Sequence, residues 1–264
     1  MNELQGDSSK ILTNQNQTPF GTILRSFVSQ RAKQTKAQSR ALDVLMPRYG
    51  IDSGLYEAGK TLDFAEIFQR TDADTILEIG FGMGEATAQM AQQSPHLNFL
   101  ALEVFPAGVG SLLMKIEELH LKNIRIISLD AVQVLQALLT ESCLSAVHIY
   151  FPDPWPKKRH HKRRLIQPAF IDLLATRVKV GGYVHCATDW DDYAAQMMSV
   201  LTQKSQTQAD GSQPQWRNRF ETDGVKMGDI NGFAMRPAHR PVTKYESRAL
   251  RLKHHIYDLV FERI

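Results

Sequence analysis

The stretch "LEIGFGMGEATAQM", residues 77–90, sets an apolar run containing Glu78 against a loop punctuated by Gly80, Gly82 and Gly84, then continues into a helical pattern. Strand, glycine loop and helix in that order need a backbone that turns sharply and lets a ligand come close, which residues lacking a Cβ allow. Outward from this unit the same alternation recurs: "TILEIGF" (75–81) before "EATAQMAQQ" (85–93), "NFLALEV" (98–104) before "PAGVGSLLMKIEELH" (106–120), and "IRIISLD" (124–130) before "AVQVLQALL" (131–139). Short apolar runs alternating with helical stretches predict repeated βα units around a parallel sheet. The pattern goes on through "SAVHIYFPD" (145–153), a helix opening at Pro168, a turn at Gly181-Gly182, "YVHCATD" (183–189) and a helix over 191–203. Val109, Leu112, Leu113, Ile116 and Leu119 fall at helical spacing and predict one apolar face laid on the sheet. A polar connection, 204–215, leads to two late strand candidates, "WRNRFE" (216–221) and "HHIYDLVFERI" (254–264), and no solenoid repeat is present.

The next strand ends at Glu103, nineteen residues after Gly84, where a carboxylate can take both hydroxyls of a ribose. Loop and acid together indicate an adenosine-containing cofactor. The spacing is GxGxG, and Glu78 and Glu85 flank the loop where a pyrophosphate would need positive charge. Two carboxylates repel a pyrophosphate but attract the ammonium and sulfonium of S-adenosylmethionine, so the charge favours that cofactor over a dinucleotide. Asp130 closes the third strand and has two readings, acceptor for an adenine amine or N-cap of the following helix.

"FPDPWPKKRHHKRR", residues 151–164, follows the fourth strand, so Asp153 emerges at the carboxyl edge of the sheet, where open α/β sheets bind ligands. Pro152, Pro154 and Pro156 restrict the backbone around Asp153 and Trp155, a preorganised acid that either holds an acceptor or caps a turn. Six Lys or Arg and two His then fall within eight residues, Lys157 to Arg164. Removing those six cations from the net charge of +3 leaves −3 for the remainder, so the positive charge is local. A local patch focuses its field on a polyanion, which makes nucleic acid the partner to test, with phosphate contacts that position without reading sequence. The adjacent His160 and His161 lack chelating spacing and sit among cations, and no metal is expected.

The 264 residues, 43% of them hydrophobic, suffice for one full core. Cys143 and Cys186 show no CxxC spacing and are expected in the core, and the N-terminus carries no leader pattern, so a cytoplasmic location is expected. Residues 1–18 are polar and expected to be a disordered tail; 19–74 form a basic extension with Arg25, Arg31, Lys33, Lys36, Arg40 and Arg48; 75–264 form the catalytic domain. Arg236, Arg240, Arg248, Arg251 and Lys253 suggest a second cationic face.

"LEIGFGMG", "LALEV", "FPDPWPKKRHHKRR", "CATDW" and "RPVTKYE", in this order over about residues 77–264, closely resemble the bacterial tRNA (guanine-N7-)-methyltransferases. The resemblance implies a class I, Rossmann-like methyltransferase fold, a doubly wound, mostly parallel seven-stranded sheet with helices on both faces. It implies methyl transfer from S-adenosylmethionine to a guanosine (position 46) in the variable loop of tRNA; a monomer is expected, although the sequence itself does not reveal the oligomeric state. Carried over residue by residue, Glu78, Gly80, Gly82, Gly84, Glu103, Asp130 and Asp153 would form the cofactor site, with Asp153 the active-site residue. Lys157, Asp189, Thr243, Lys244, Tyr245 and Glu246 would bind substrate, and Arg159, His160, His161, Lys162, Arg163 and Arg164 would meet RNA. Pro156 and Tyr245 differ from the residues of some relatives, and neither change removes a required charge or donor.

Overall fold

The computed structural model describes residues 34–209, 211–220 and 232–264. The tail 1–18, the cations Arg25, Arg31 and Lys33 and the side chain of Lys244 lie outside the described residues. The chain enters through α1 (Lys36–Tyr49), α2 (Gly54–Glu57) and α3 (Phe64–Phe68). Four βα units follow: β1 (Thr75–Ile79) and α4 (Glu85–Gln93), β2 (Asn98–Leu102) and α5 (Pro106–Glu118), β3 (Ile124–Ile127) and α6 (Ala131–Gln133), β4 (Leu144–Tyr150) and α7 (Pro168–Arg177). Between β4 and α7 lies a 3₁₀ segment, Lys158–Arg163. The remainder is β5 (Val178–Thr188), α8 (Asp191–Gln203), β6 (Trp216–Asn218), α9 (Lys244–Arg251) and β7 (Tyr257–Arg263).

The strands form one sheet in the order β3-β2-β1-β4-β5-β7-β6. β1 pairs in parallel with β2 and β4, and β7 runs antiparallel to β5 and β6. All five residues of β1 are buried, as expected for a strand covered on both faces. Leu77, Ile79, Leu100 and Leu102 pack towards α7 and α8, whereas Ile76, Phe99 and Ala101 pack towards α1, α4 and α5. The order reverses between β1 and β4, and that switch point opens the crevice in which such sheets bind ligands.

Val109, Leu112, Leu113 and Ile116 are buried on α5 as the spacing predicts. Leu119 is not, because the helix stops at Glu118 and Leu119 is its exposed C-cap. Gly110 leaves room for α1 to cross α5 closely: a Cβ there would stand 2.6 Å from the Gln38 carbonyl oxygen. The Gly181-Gly182 pair is not a turn ahead of a strand. It lies inside β5 as a bulge, with the pairing jumping from Leu144–Val178 to Ala146–Tyr183. The predicted helix over 131–139 is one α-turn that widens into a π-turn, Val134–Leu138. Cys186 is buried but Cys143 only partly so.

Candidate active site

The carboxyl ends of β1 to β4 surround a cavity of about 290 Å³ whose walls include Glu78, Gly80, Gly82, Glu103, Asp130 and Asp153, with Thr243 and Tyr245 arriving from the α9 segment. Gly80, Gly82 and Gly84 have φ of 77°, 59° and 75°, the left-handed region where a side chain is strained. Gly84 does not line the cavity; it starts α4, packed so that a Cβ would fall 2.7 Å from that of Leu112. α5 presses on the loop from behind, since a Cβ on Gly108 would lie 2.2 Å from the Gly82 carbonyl oxygen. Glu103 ties these pieces together. Its Oε2 accepts the Gly82 N–H (2.9 Å), and its Oε1 accepts those of Val104 (2.8 Å) and Phe105 (3.0 Å).

Glu78 is 3% exposed, and its Oε2 has no hydrogen-bond partner among the described residues. Burial raises its carboxyl from 4.5 to about 7, with the nearby Glu103 charge adding and the Thr87 hydroxyl offsetting in part. Burial also raises Glu103, against the pull of its backbone donors and with Asp153 adding. A buried carboxyl with an unpartnered oxygen in a cavity wall either holds a proton or takes a cation, and this wall fits an ammonium-bearing, phosphate-free ligand. Asp130 realises its N-cap reading, accepting the Val132 N–H at 2.9 Å, and lines the cavity as well.

The turn after β4 departs from ordinary backbone. Phe151 (φ 52°) and Trp155 (φ 45°) are both left-handed without being glycine, a strain found where a functional group must be aimed. Arg164 holds this turn. Its Nε donates to the Pro154 carbonyl (2.8 Å), Nη1 to Gln196 Oε1 (2.7 Å) and Nη2 to Asp192 Oδ2 (2.6 Å), and it is 2% exposed. That burial turns Arg164 away from the solvent-facing strip in which its sequence neighbours lie. Lys157, Lys158, Arg159, Lys162 and Arg163 are exposed. Arg163 lies over the Trp155 ring at 5.0 Å, while His160 and His161 are half-buried.

Thr243 caps α9 by accepting the Glu246 N–H (3.1 Å), and Tyr245 stacks on Phe151 with ring centroids 6.4 Å apart. Glu246 turns inward instead of into the cavity: it is 4% exposed and takes Arg240 Nη1 at 2.5 Å. Arg240 reaches on to Asp258 of β7 with two donors, at 2.7 and 2.8 Å. At 1% exposure, Arg240 is therefore no part of a second cationic face, whereas Arg248, Arg251 and Lys253 are exposed. Asp189 sits just past β5, half-buried, with His254 Nδ1 at 3.8 Å, and is absent from the cavity wall. Sequence reasoning missed Asp192, Gln196 and Asp258, whose roles depend on partners 18–32 residues away.

The sheet order with its antiparallel last-but-one strand, the glycine loop and the acid-lined switch-point cavity define a class I, Rossmann-like methyltransferase fold. A family model described as "Putative methyltransferase" matches residues 72–259. The chain is 50% identical over 240 residues to a tRNA (guanine-N(7)-)-methyltransferase of Nitrosospira multiformis, covering 91% of this chain and 94% of the relative. It is 49% identical over 246 residues to the Bordetella pertussis protein of that name, covering 93% and 87%. Among solved structures, the 16S rRNA methyltransferase KamB matches with a TM-score of 0.50 at 16% identity, over 77% of this chain and 94% of that one, which bears on the fold alone. The chain belongs to the tRNA (guanine-N7-)-methyltransferase family.

Proposed function

We propose that this protein methylates N7 of a guanosine in tRNA, at position 46 of the variable loop, using S-adenosylmethionine, and that it works as a cytoplasmic monomer. The observation that carries the reading is an acid-walled cavity with the orphaned Glu78 carboxylate, opening beside an exposed cationic strip, in a chain half identical to enzymes of that name. S-adenosylmethionine supplies a methyl group activated on a sulfonium. Glu78 would hold its ammonium, Glu103 its ribose and Asp130 its adenine, on the glycine loop of Gly80, Gly82 and Gly84.

Guanine N7 has an in-plane lone pair and no proton, so attack needs no base and positioning dominates. Asp153 accepts hydrogen bonds from the Watson–Crick edge of guanine and favours the positive charge that grows on the ring. Tyr245, Thr243 and Lys157 flank the acceptor, with Asp189 and Lys244 at the rim, and Glu246 sets α9 from below. Arg159, His160, His161, Lys162 and Arg163 run along the phosphates, while Arg164 fixes the turn that aims Asp153. Nucleoside mass spectrometry of unmodified tRNA incubated with protein and labelled donor tests this. The expected product is 7-methylguanosine, mapped to position 46 by borohydride–aniline cleavage. A methylated amino group, or no incorporated label, overturns it.

A further inference from the structure

β4 and β5 pair His148 directly with His185, so both imidazoles leave the same face of the sheet, and His239, ahead of α9, closes over them. The ring centroids stand 5.1–5.9 Å apart, and one ligand nitrogen from each lies within 4.8 Å of the others. His185 Nε2 is 2.7 Å from Asp258 Oδ1, and since that carboxylate accepts, the proton belongs on Nε2 and the lone pair on Nδ1. That Nδ1 faces His239 Nε2 at 3.1 Å and the Tyr150 hydroxyl at 3.1 Å. His148 Nε2 meets the Tyr183 hydroxyl at 3.2 Å, which leaves Nδ1, on a residue 1% exposed, without a partner among the described residues.

We propose that His148, His185 and His239 form a zinc site that fastens the stretch ahead of α9 to the sheet. Three imidazoles on one tetrahedral zinc, each bonded at about 2.0–2.1 Å, hold their nitrogens about 3.3 Å apart. The His185–His239 pair already stands close to that spacing, and one nitrogen from each of the three rings lies within 4.8 Å of the other two. A ligating histidine characteristically gives its second N–H to a carboxylate, which fixes its tautomer, and Asp258 does this for His185. The arginines near the site are each paired with an acid, Arg240 with Asp258 and Glu246, Arg236 with Glu246, and Arg219, over the Tyr183 ring, with Glu262, and Asp258 lies directly against His185. Imidazole donors suit zinc, as they do copper, nickel and iron, and zinc alone of these needs neither a redox partner nor a particular geometry. His239 stands four residues before Thr243, so the metal would brace the segment that reaches the cavity, and this site stands whether or not the proposed substrate is right.

The test uses the full chain, purified without a histidine tag and stripped with chelator, then titrated with zinc against a chromophoric competitor and with cobalt(II) as a spectroscopic probe. One zinc per chain is expected, with visible d–d absorption from the cobalt form and a zinc-dependent, chelator-reversible rise in Tm. His239→Ala and His148→Gln should each weaken zinc binding by about 100-fold and abolish the Tm rise, with the near-ultraviolet dichroism of the metal-free protein retained. A His160→Ala, His161→Ala double variant should bind zinc as the parent does. Zinc binding by the parent no tighter than by His239→Ala, or binding lost only in the His160, His161 double variant, overturns the site.

Discussion

At the scale of single residues, the proposed role of Glu78 makes the ligand-free and the cofactor-bound protein differ in a measurable way. Its folded-state value of about 7 lies above the ordinary 4.5, so folding retains a proton that the unfolded chain gives up. The stabilisation is therefore complete below pH 4.5 and is lost as pH rises through about 7; the difference corresponds to about 3 kcal/mol. A cation bound against Glu78 reverses this, because it favours the ionised form. Cofactor affinity should therefore tighten as pH rises from 5.5 to 7.5, and calorimetry in two buffers of different ionisation enthalpy should record proton release near pH 6.5. Glu78→Gln should lose that release, weaken cofactor binding by about 10- to 100-fold as expected for a lost charge-assisted hydrogen bond, and make the ligand-free protein more stable at pH 8. Proton release undiminished in Glu78→Gln would assign it elsewhere.

At the scale of elements, two arginines that read as surface cations are joints. Arg164 links the turn after β4 to α8 through Pro154, Asp192 and Gln196, so Arg164→Ala strands a half-buried carbonyl and a half-buried amide as well as removing a charge. It should cost about 1–3 kcal/mol in urea unfolding and lower the rate of single-turnover methyl transfer, whereas Arg163→Ala should leave stability within about 0.5 kcal/mol. Arg240 joins α9 to β7, and Arg240→Ala leaves the buried Glu246 with only Arg236, at 3.9 Å, and the buried Asp258 with only His185, for about 3–5 kcal/mol; Arg240→Lys should rescue little, because an ammonium lacks the planar fork that serves two carboxylates. Equal stability of Arg240→Lys and the parent would show that charge alone is needed. These cases mark what the sequence left illegible. The βα alternation from Thr75 to Arg177 could be read because hydrophobic period and glycine punctuation are local properties. So could the cavity acids Glu78, Glu103, Asp130 and Asp153, each placed at a strand end or just beyond it. Whether an arginine faces water or a carbonyl from another element is set by tertiary packing, and nothing local to Arg164 or Arg240 announces it. The π-turn and the bulge at Gly181 likewise answer to neighbouring elements, not to their own composition.

At the scale of the whole molecule, charge is separated: carboxylates wall the cavity, and the exposed Lys157, Lys158, Arg159, Lys162 and Arg163 lie just past its rim. On the proposed reading, the separation would let one sheet edge hold a small cation and a large polyanion at once, since the strip's field is screened within about 8 Å at physiological salt while the buried acids are screened much less. α1 bears Lys36, Arg40 and Arg48 but packs on α5 and β3, three strands across the sheet from β4, so this helix follows a different surface. It follows that the two ligands should respond differently to ionic strength. With Glu78 holding the cofactor inside the cavity as proposed, cofactor binding should change little between about 50 and 300 mM salt, whereas tRNA binding should fall steeply, as log K against log salt. Replacing Arg159 and Lys162 together by Ala should flatten that slope by about 1.4 to 1.8, which is 0.7–0.9 for each phosphate no longer neutralised, and leave cofactor affinity as it was. Filter-binding titrations across a salt series measure the slope directly. An unchanged slope would remove these two residues from the phosphate path and return the polyanion surface to the exposed cations Arg248, Arg251 and Lys253 on and just after α9.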